Sequence, residues 1–112
     1  MQAREGQLLR IFVGENDRHE HQPVYEWIVR KAREEGLAGA TVLRGLEGYG
    51  VNSTLHKASI LRLSSDLPVV IEIVDDTEKI AAFLPRMEEA LRDGIATLEK
   101  VQLLKLAAKK GD

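Results

Sequence analysis

One short segment of the chain carries side chains of the kinds that hold metal ions. Residues 17–21 have the order Asp-Arg-His-Glu-His, and Glu15 lies just before them. Imidazole and carboxylate groups are suitable ligands for divalent transition metals. Arg18, however, puts a positive charge in the middle of the segment, and polar stretches between regular elements are commonly solvated loops. The composition therefore favours a loop, with a metal-handling site as the alternative.

A glycine-rich segment is the second place where ligand chemistry is conceivable. Gly45, Gly48 and Gly50 follow the pattern Gly-x-x-Gly-x-Gly. This is not the dinucleotide fingerprint Gly-x-Gly-x-x-Gly, and no helix follows it to receive a pyrophosphate. Glycine at these positions either lets the backbone approach a ligand closely or forms a tight turn. Both interpretations remain open.

Covalent catalysis has little support in the sequence. The chain has no Cys, which excludes thiolate zinc sites, iron–sulfur clusters and thiol nucleophiles. Ser53, Ser64 and Ser65 lack the Gly-x-Ser-x-Gly setting of an activated serine, and His56 stands alone beside Lys57. We therefore expect no catalytic residues and no cofactor, and a small enzyme is kept only as an alternative.

Length and charge limit the class of protein. A chain of 112 residues, 44% of them hydrophobic, suits a single domain over residues 1–112. Sixteen basic and eighteen acidic residues are interspersed, so there is no basic face for nucleic acid. The polar N-terminus does not resemble a secretory signal, and no apolar stretch approaches the ~18 residues of a membrane-spanning helix. We expect a cytoplasmic protein.

The first half of the chain predicts a strand, a helix and a second strand. Residues 8–13 are apolar and end at Gly14, and residues 40–44 form a similar run. Between them a helix is predicted from Pro23 to a left-handed cap at Gly36, because apolar residues recur at helical spacing: Val24, Trp27, Ile28 and Ala32. Trp27 is interpreted as a core or interface residue rather than as a stacking platform.

A long excursion, residues 51–66, separates this half from the next. It holds small polar residues and one strand-like stretch, residues 58–63, and we expect it to be the most mobile internal segment, anchored near Gly50 and Leu67. Residues 67–74 then predict a strong strand, and residues 98–106 predict the last one. A helix capped by Asp76 or Thr77 is predicted between them, bent at Pro85 and closed by Gly94.

The order β-α-β-β-α-β predicts an α+β fold, a ferredoxin-like βαββαβ sandwich with one antiparallel sheet and two helices on one face. Leu9, Ile11 and Val13 are predicted to face the helices. The opposite face is expected to be mostly apolar with one charge per strand, which is typical of a subunit interface. Its predicted residues are Leu8, Arg10, Phe12, Val42, Arg44, Leu46, Val70, Glu72, Val74, Val101, Leu103 and Lys105.

Several stretches resemble PII signalling proteins. Residues 35–42, Glu-Gly-Leu-Ala-Gly-Ala-Thr-Val, and then Gly48-Tyr49-Gly50, resemble the end of the first helix, the second strand and the start of the T-loop in that family. Residues 67–74 are similar to its third strand. The resemblance is strongest to short bacterial PII-like proteins of unassigned biochemical role.

The resemblance implies a homotrimer with adenine nucleotides bound in clefts between subunits. In that family the ligand orders the T-loop, which contacts a membrane transporter, channel or enzyme. Thr41 would then lie near the base, Gly48 and Gly50 at the T-loop root, and Lys100 at a phosphate. The ligand-binding residues carried over are Thr41, Gly48, Tyr49, Gly50, Gly94 and Lys100.

The sequence departs from the family at the phosphate loop. Residues 92–100 keep Gly94 and Lys100 of the PII pattern Thr-Gly-x-x-Gly-Asp-Gly-Lys, but Leu98 and Glu99 stand near the missing glycines. Fewer glycines restrict a phosphate-binding turn, and we expect Glu99 to disfavour a triphosphate. The predicted function is a non-catalytic PII-like regulatory protein in which a mono- or diphosphate rivals the triphosphate.

Overall fold

The computed structural model of the chain describes residues 1–49, 56–57, 66–91 and 94–106. These residues form eight strands and two helices. In chain order they are β1 Gln2–Gly14, β2 Arg18–His19, β3 Gln22–Pro23, α1 Val24–Glu34, β4 Ala40–Arg44, β5 Glu47–Gly48, β6 His56–Lys57, β7 Pro68–Asp76, α2 Thr77–Ala90 and β8 Ile95–Lys105. The strand expected over residues 58–63, Gly50 and the basic residues 109–110 lie outside the described part of the chain.

The main sheet has the strand order β4-β7-β1-β8, and all its neighbouring strands are antiparallel. The helices α1 and α2 follow the first and third long strands and pack against the sheet. This is the predicted ferredoxin-like βαββαβ arrangement. The two longest strands come from opposite ends of the chain, since β1 pairs with β8 from Gln2 opposite Lys105 to Phe12 opposite Ile95.

Three boundaries differ by three residues or more from the sequence prediction. β1 begins at Gln2 rather than Leu8, because its polar first half pairs with β8, a partner that no local pattern shows. β8 begins at Ile95 rather than Leu98 for the same reason. α2 ends at Ala90 rather than near Gly94, and the N–H of Leu91 closes it by donating to the carbonyl oxygen of Met87.

The core lies between the helices and one face of the sheet. The predicted inward residues Leu9, Ile11 and Val13 are buried there, and so are Val24, Trp27, Ile28 and Ala32 of α1. Gly36 has a φ of +78°, which is the left-handed conformation predicted at the end of α1. The largest fully buried side chains are Phe83, Leu9, Ile11, Ile28, Ile71, Ile73 and Ile80.

α2 contains Pro85 within a continuous helix, as predicted from its apolar stripe. Pro85 is exposed, while Ile80, Phe83 and Met87 are buried. Asp76 stands at the N-cap position, but its carboxylate makes no capping hydrogen bond. It is paired instead with Arg4 of β1. The predicted capping role of Asp76 is therefore wrong, because a charged partner on the neighbouring strand competes for the carboxylate.

The polar segment after β1 forms a small hairpin rather than a loop. β2 and β3 pair across Glu20 and His21, whose φ angles of 52° and 65° give the left-handed turn that joins short antiparallel strands. The ring of His19 meets the ring of Trp27 edge-on, with centroids 4.8 Å apart. The hairpin is thus anchored on the start of α1.

Candidate functional site

The face of the sheet away from the helices is called the open face here. Residues directly opposite each other in antiparallel strands share a face. Leu8 lies opposite Val74, Arg10 opposite Glu72, and Phe12 opposite Val70. These are residues that the sequence assigned to this face, and Leu9 and Ile11 between them are buried under the helices.

An apolar row crosses the open face at one end of the sheet. Leu43, Val70, Phe12 and Ile95 are successive neighbours on β4, β7, β1 and β8. Phe12 is 41% exposed, Leu43 48% and Ile95 53%. Four large side chains in a continuous row make an exposed apolar strip, which in soluble proteins commonly marks an interaction surface.

A charged row lies beside the apolar one. The Nε of Arg10 is 2.9 Å from Oε2 of Glu72 on β7, and another guanidinium nitrogen of Arg10 bonds Glu99 on β8. The hydrogen bond to Glu72 and then that to Glu99 hold the pKa of Arg10 above its ordinary value. Arg10 and Glu72, two of the charges expected on this face, thus pair within one chain.

The face assignment of β4 is wrong by one residue. Thr41 lies opposite Glu72 and Leu43 opposite Val70, so these two belong to the open face. Val42 and Arg44 face the side of the helices, and Arg44 pairs with Glu15 there. β4 is a short edge strand with only one paired neighbour, so its alternation does not show which parity is inside.

Three of the predicted ligand residues lie at the β4 edge of the sheet. Thr41 is exposed on β4. Gly48 belongs to β5, which pairs with β6, and Tyr49 follows it with 75% of its surface exposed. A Cβ at Gly48 would lie 3.0 Å from Cγ of Pro68, so close packing on this ring is one reason for glycine.

The other two predicted ligand residues within the described part of the chain lie at the opposite edge of the sheet, formed by β8. Gly94 immediately precedes β8, and Lys100 stands within β8 opposite Gln7. Lys100 lines a shallow cleft of about 430 Å³. The other lining residues are Ala3, Arg4, Glu5, Val101 and Gln102.

The expected effect of Glu99 on a phosphate near Lys100 is not supported by the geometry. Both residues stand in an extended strand rather than a glycine loop. Successive residues of a strand point to opposite faces, and Glu99 is on the open face in its ion pair with Arg10. Its charge is therefore directed away from Lys100 and already has a partner, which removes the electrostatic reason for disfavouring a triphosphate.

The candidate ligand residues form two separate sets within one chain. β7 and β1 lie between β4 and β8, and with about 4.8 Å per strand the two edges are roughly 14 Å apart. β4 runs parallel to β1 and β8 antiparallel to it, so the two edges are antiparallel to each other. One chain cannot bring Thr41 to Lys100.

The alternative chemistries gain no support. Within residues 1–49, 56–57, 66–91 and 94–106, no group of three or more His, Asp or Glu is arranged to hold a metal ion. Ser53, Ser64 and Ser65 lie outside these ranges. Among the described helices, none is both long and apolar enough to cross a membrane.

The sequence analysis did not identify the role of Asp75. Its carboxylate is 2% exposed and accepts hydrogen bonds from the N–H groups of Ala38, at 2.9 Å, and Asp76, at 2.6 Å. It thereby holds the connection between α1 and β4. Asp75 stands just before the predicted helix cap, and no role was predicted for it. Every second residue of β7 is buried, and this alternation was the signal that Asp75 is buried as well.

Comparisons with known proteins agree with this fold. The family model DUF190, described as "Uncharacterized ACR, COG1993", matches residues 6–103. A UPF0166 protein from Aquifex aeolicus is 42% identical over 99 residues, covering 88% of this chain and 93% of that protein. The UPF0166 protein MJ1524 from Methanocaldococcus jannaschii is 40% identical over 86 residues, covering 77% and 79%.

Two solved structures share the fold at low sequence identity. CPII, a nitrogen regulatory PII-like protein from Thiomonas intermedia K12 bound to ADP, AMP and bicarbonate, matches with a TM-score of 0.63, 16% identity and 91% coverage of both chains. A putative PII-like signaling protein from Thermus thermophilus, TTHA0516, matches with a TM-score of 0.65 and 18% identity, covering 93% of this chain and 94% of that one. The fold of this chain is that of PII-like proteins, and by its sequence the chain belongs to the DUF190 (UPF0166) family.

Proposed function

We propose that this protein is a non-catalytic PII-like regulatory protein that assembles as a homotrimer. Its ligand, an adenine nucleotide, is bound between copies, and the bound state is passed to residues 51–66, which contact a partner protein such as a transporter, channel or enzyme. The solved relative CPII was obtained with ADP and AMP bound, which supports a nucleotide as the ligand.

The observation that carries the proposal is the separation of the candidate ligand residues onto two edges. Thr41, Gly48 and Tyr49 lie at the β4 edge, while Gly94 and Lys100 lie at the β8 edge. A head-to-tail ring puts one edge of each copy beside the other edge of the next. The antiparallel directions of β4 and β8 suit this neighbourhood, and the two sets of residues would meet in each cleft.

The open face supports assembly independently. Its apolar row remains exposed in the single chain, and the ion pairs of Arg10 beside it are partly exposed. Apolar area flanked by charges is the composition of many subunit interfaces. A trimer would bury this face and would leave the helices outside.

Light scattering and calorimetry test the two halves of the proposal. We expect a trimer at micromolar concentration, and binding of AMP, ADP or ATP with a dissociation constant below millimolar. Chromatography of the nucleotides after incubation should recover them unchanged. A monomer, or the absence of nucleotide binding below millimolar, contradicts the corresponding half.

A mixing experiment tests whether each cleft is shared. Thr41→Arg and Lys100→Ala are each expected to abolish or weaken binding in homogeneous assemblies. When the two variants are unfolded together and refolded as an equal mixture, about one quarter of the clefts should receive the intact residue from both neighbours. Recovery of tight binding in about that fraction supports a shared cleft, and no recovery would show that Thr41 and Lys100 do not meet in one cleft.

A further inference from the structure

The turn that follows β1, residues 14–17, is held in place by one of its own side chains. The N–H of Gly14 donates to Oδ2 of Asp17 at 2.9 Å, and the N–H of Asp17 donates to the carbonyl oxygen of Gly14 at 3.2 Å. The N–H of Val24, the first residue of α1, donates to the carbonyl oxygen of Asp17 at 2.8 Å. The turn is therefore attached both to β1 and to the start of α1.

Hydrogen bonds join the same turn to Asp66, the last residue of the excursion, and to Leu67 after it. The N–H of Glu15 donates to the carbonyl oxygen of Leu67 at 2.8 Å, and the N–H of Asn16 donates to Oδ1 of Asp66 at 2.9 Å. Asp66 packs closely on the turn, since a Cβ at Gly14 would lie 2.7 Å from Oδ1 of Asp66. A side chain at position 14 would therefore push the carboxylate of Asp66 away from the turn.

An ion pair joins the turn to the end of β4, which precedes the excursion. Oε2 of Glu15 lies 2.6 Å from Nε of Arg44, the last residue of β4. The side chain of Glu15 is 16% exposed and that of Arg44 is 63% exposed, so the ion pair is shielded on the Glu15 side and open to solvent on the Arg44 side. The N–H of Gly45 then donates to the carbonyl oxygen of Pro68 at 2.7 Å, which joins the two ends to each other as well.

We propose that residues 14–17 form a clamp that fixes the two ends of the excursion, with Glu15 and Asp66 as its positioning residues. Glu15 holds the end that leaves β4, and Asp66 holds the end that enters β7. The clamp controls how the ends of the excursion respond to a ligand, and this part rests on the proposed function. The clamp itself rests only on the contacts described above, none of which involves a ligand.

Hydrogen exchange measured by mass spectrometry tests the clamp without any ligand. The variants are Glu15→Gln, which removes the charge, and Asp66→Ala, which removes the acceptor. Asp66→Asn keeps an oxygen at the acceptor position and serves as the rescue variant. Glu34→Gln breaks a similar ion pair, with Lys31 on α1, and is the matched control.

We expect exchange in peptides covering residues 45–49 and 66–70 to become at least about tenfold faster in Glu15→Gln and Asp66→Ala, and to return towards the wild-type rate in Asp66→Asn. Exchange in the buried parts of β1 and α2 should stay at the wild-type rate. The clamp is refuted if the ends exchange as in Glu34→Gln, or if the core loosens to the same extent as the ends.

A second measurement adds ADP to the same samples. In the wild-type protein we expect ADP to slow exchange in residues 45–49, and in Glu15→Gln we expect this slowing to be at least halved while ADP still binds. Equal slowing in both proteins would overturn the control of the ligand response. If the wild-type protein binds no ADP, the proposed ligand is wrong, whereas the ligand-free measurement still decides the clamp.

Discussion

Arg10 of β1 and Glu72 of β7 lie directly opposite each other on the open face and form a hydrogen-bonded ion pair, with Nε of Arg10 2.9 Å from Oε2 of Glu72. Arg10 bonds Glu99 of β8 at the same time. One guanidinium thus connects three adjacent strands. A change of either carboxylate therefore alters the centre of the face that we propose as the interface.

Glu72→Arg should weaken assembly. It places a second positive charge opposite Arg10 on a surface that assembly would desolvate, where like charges cost most. We expect the dissociation constant of the assembly, measured by analytical ultracentrifugation, to rise at least about tenfold, which corresponds to about 1.4 kcal/mol. Glu89→Arg, a charge reversal on the exposed side of α2, is the control and should leave it unchanged.

The pH of this measurement follows from the raised pKa of Arg10. Because the pKa of Arg10 is raised in the folded chain, its charge stabilises the fold fully at any pH below the pKa of the unfolded chain. This stabilisation is lost as the pH rises through the pKa of the folded chain. For arginine this window lies above about pH 12. Arg10 should therefore stay charged between pH 6 and pH 9. The difference in the dissociation constant of the assembly between Glu72→Arg and wild type should then persist across this range, and its disappearance within the range would contradict the assignment.

Phe12→Asp should separate assembly from folding. Phe12 is 41% exposed in the single chain and lies outside the buried core between the sheet and the helices, so its loss leaves that core intact. It lies in the middle of the apolar row, where a buried charge without a partner would oppose association. We expect mostly monomers at micromolar concentration by light scattering, with the helical circular dichroism signal retained. Leu106→Asp, at an apolar residue just beyond β8 that is 78% exposed and lies outside the row, should remain assembled. If both variants behave alike, the row is not the contact.

Gly6→Ala should destabilise the domain. A Cβ at Gly6 would lie 2.7 Å from the backbone carbonyl oxygen of Asp75 and 2.6 Å from Cδ1 of Leu103. The backbone of β7 cannot move away without disturbing its pairing, so we expect a loss of about 1–3 kcal/mol in the free energy of unfolding, measured in urea. Gly39→Ala meets no atom within 4 Å and is the matched control. An equal effect of the two substitutions would contradict the packing argument.

Asp75→Ala should loosen the connection between α1 and β4. The substitution leaves the partly buried N–H of Ala38 without its charged acceptor, at a cost of about 1–3 kcal/mol. Hydrogen exchange at Ala38 should accelerate, followed by NMR. Asp75→Asn keeps an oxygen acceptor and should recover part of the protection. Unchanged exchange at Ala38 in the alanine variant would show that the hydrogen bond is unimportant.

Lys100→Ala tests the proposed phosphate contact. Loss of a hydrogen bond to a charged group commonly costs about 1–3 kcal/mol, so calorimetry should show binding of ADP weakened by roughly 5- to 150-fold. Lys79→Ala, on the exposed side of α2, should bind as the wild type does. Equal affinities for the two variants would remove Lys100 from the ligand site. Because Glu99 is paired with Arg10, we expect it to exert little direct effect on the choice between ADP and ATP.

The sequence was sufficient to predict the order of the four main strands and two helices, because each of these carries its own apolar period. The two-residue strands were missed, since they are too short to show one. The stripe of α1 and the inward side of β1 were predicted residue by residue and are buried as expected. The parity of β4 was not predictable, since an exposed edge strand has no strong inside. The true length of β1 was also hidden, because its first residues are ordered by pairing with β8 near the other end of the chain.

The candidate site was predictable only as a list of residue types. Resemblance selected Thr41 and Lys100, but local patterns do not show that two strands separate them. The pair formed by Glu99 and Arg10 depends on the register between β1 and β8. Similarly, Glu15, Arg44 and Asp66 are distant in sequence and meet only because β1 and β4 end where β7 begins, at the same side of the sheet.

The pairing of β1 with β8 has a consequence for synthesis of the chain on the ribosome. β1 is made first, but its two neighbours in the sheet, β7 and β8, are made late. The central strand therefore waits for almost the whole chain before either of its edges is paired, and such distant pairings slow folding. Until then its apolar residues are exposed except where they make temporary contacts. Protection of the nascent chain against aggregation should therefore matter more for this topology than for a fold built from neighbouring hairpins.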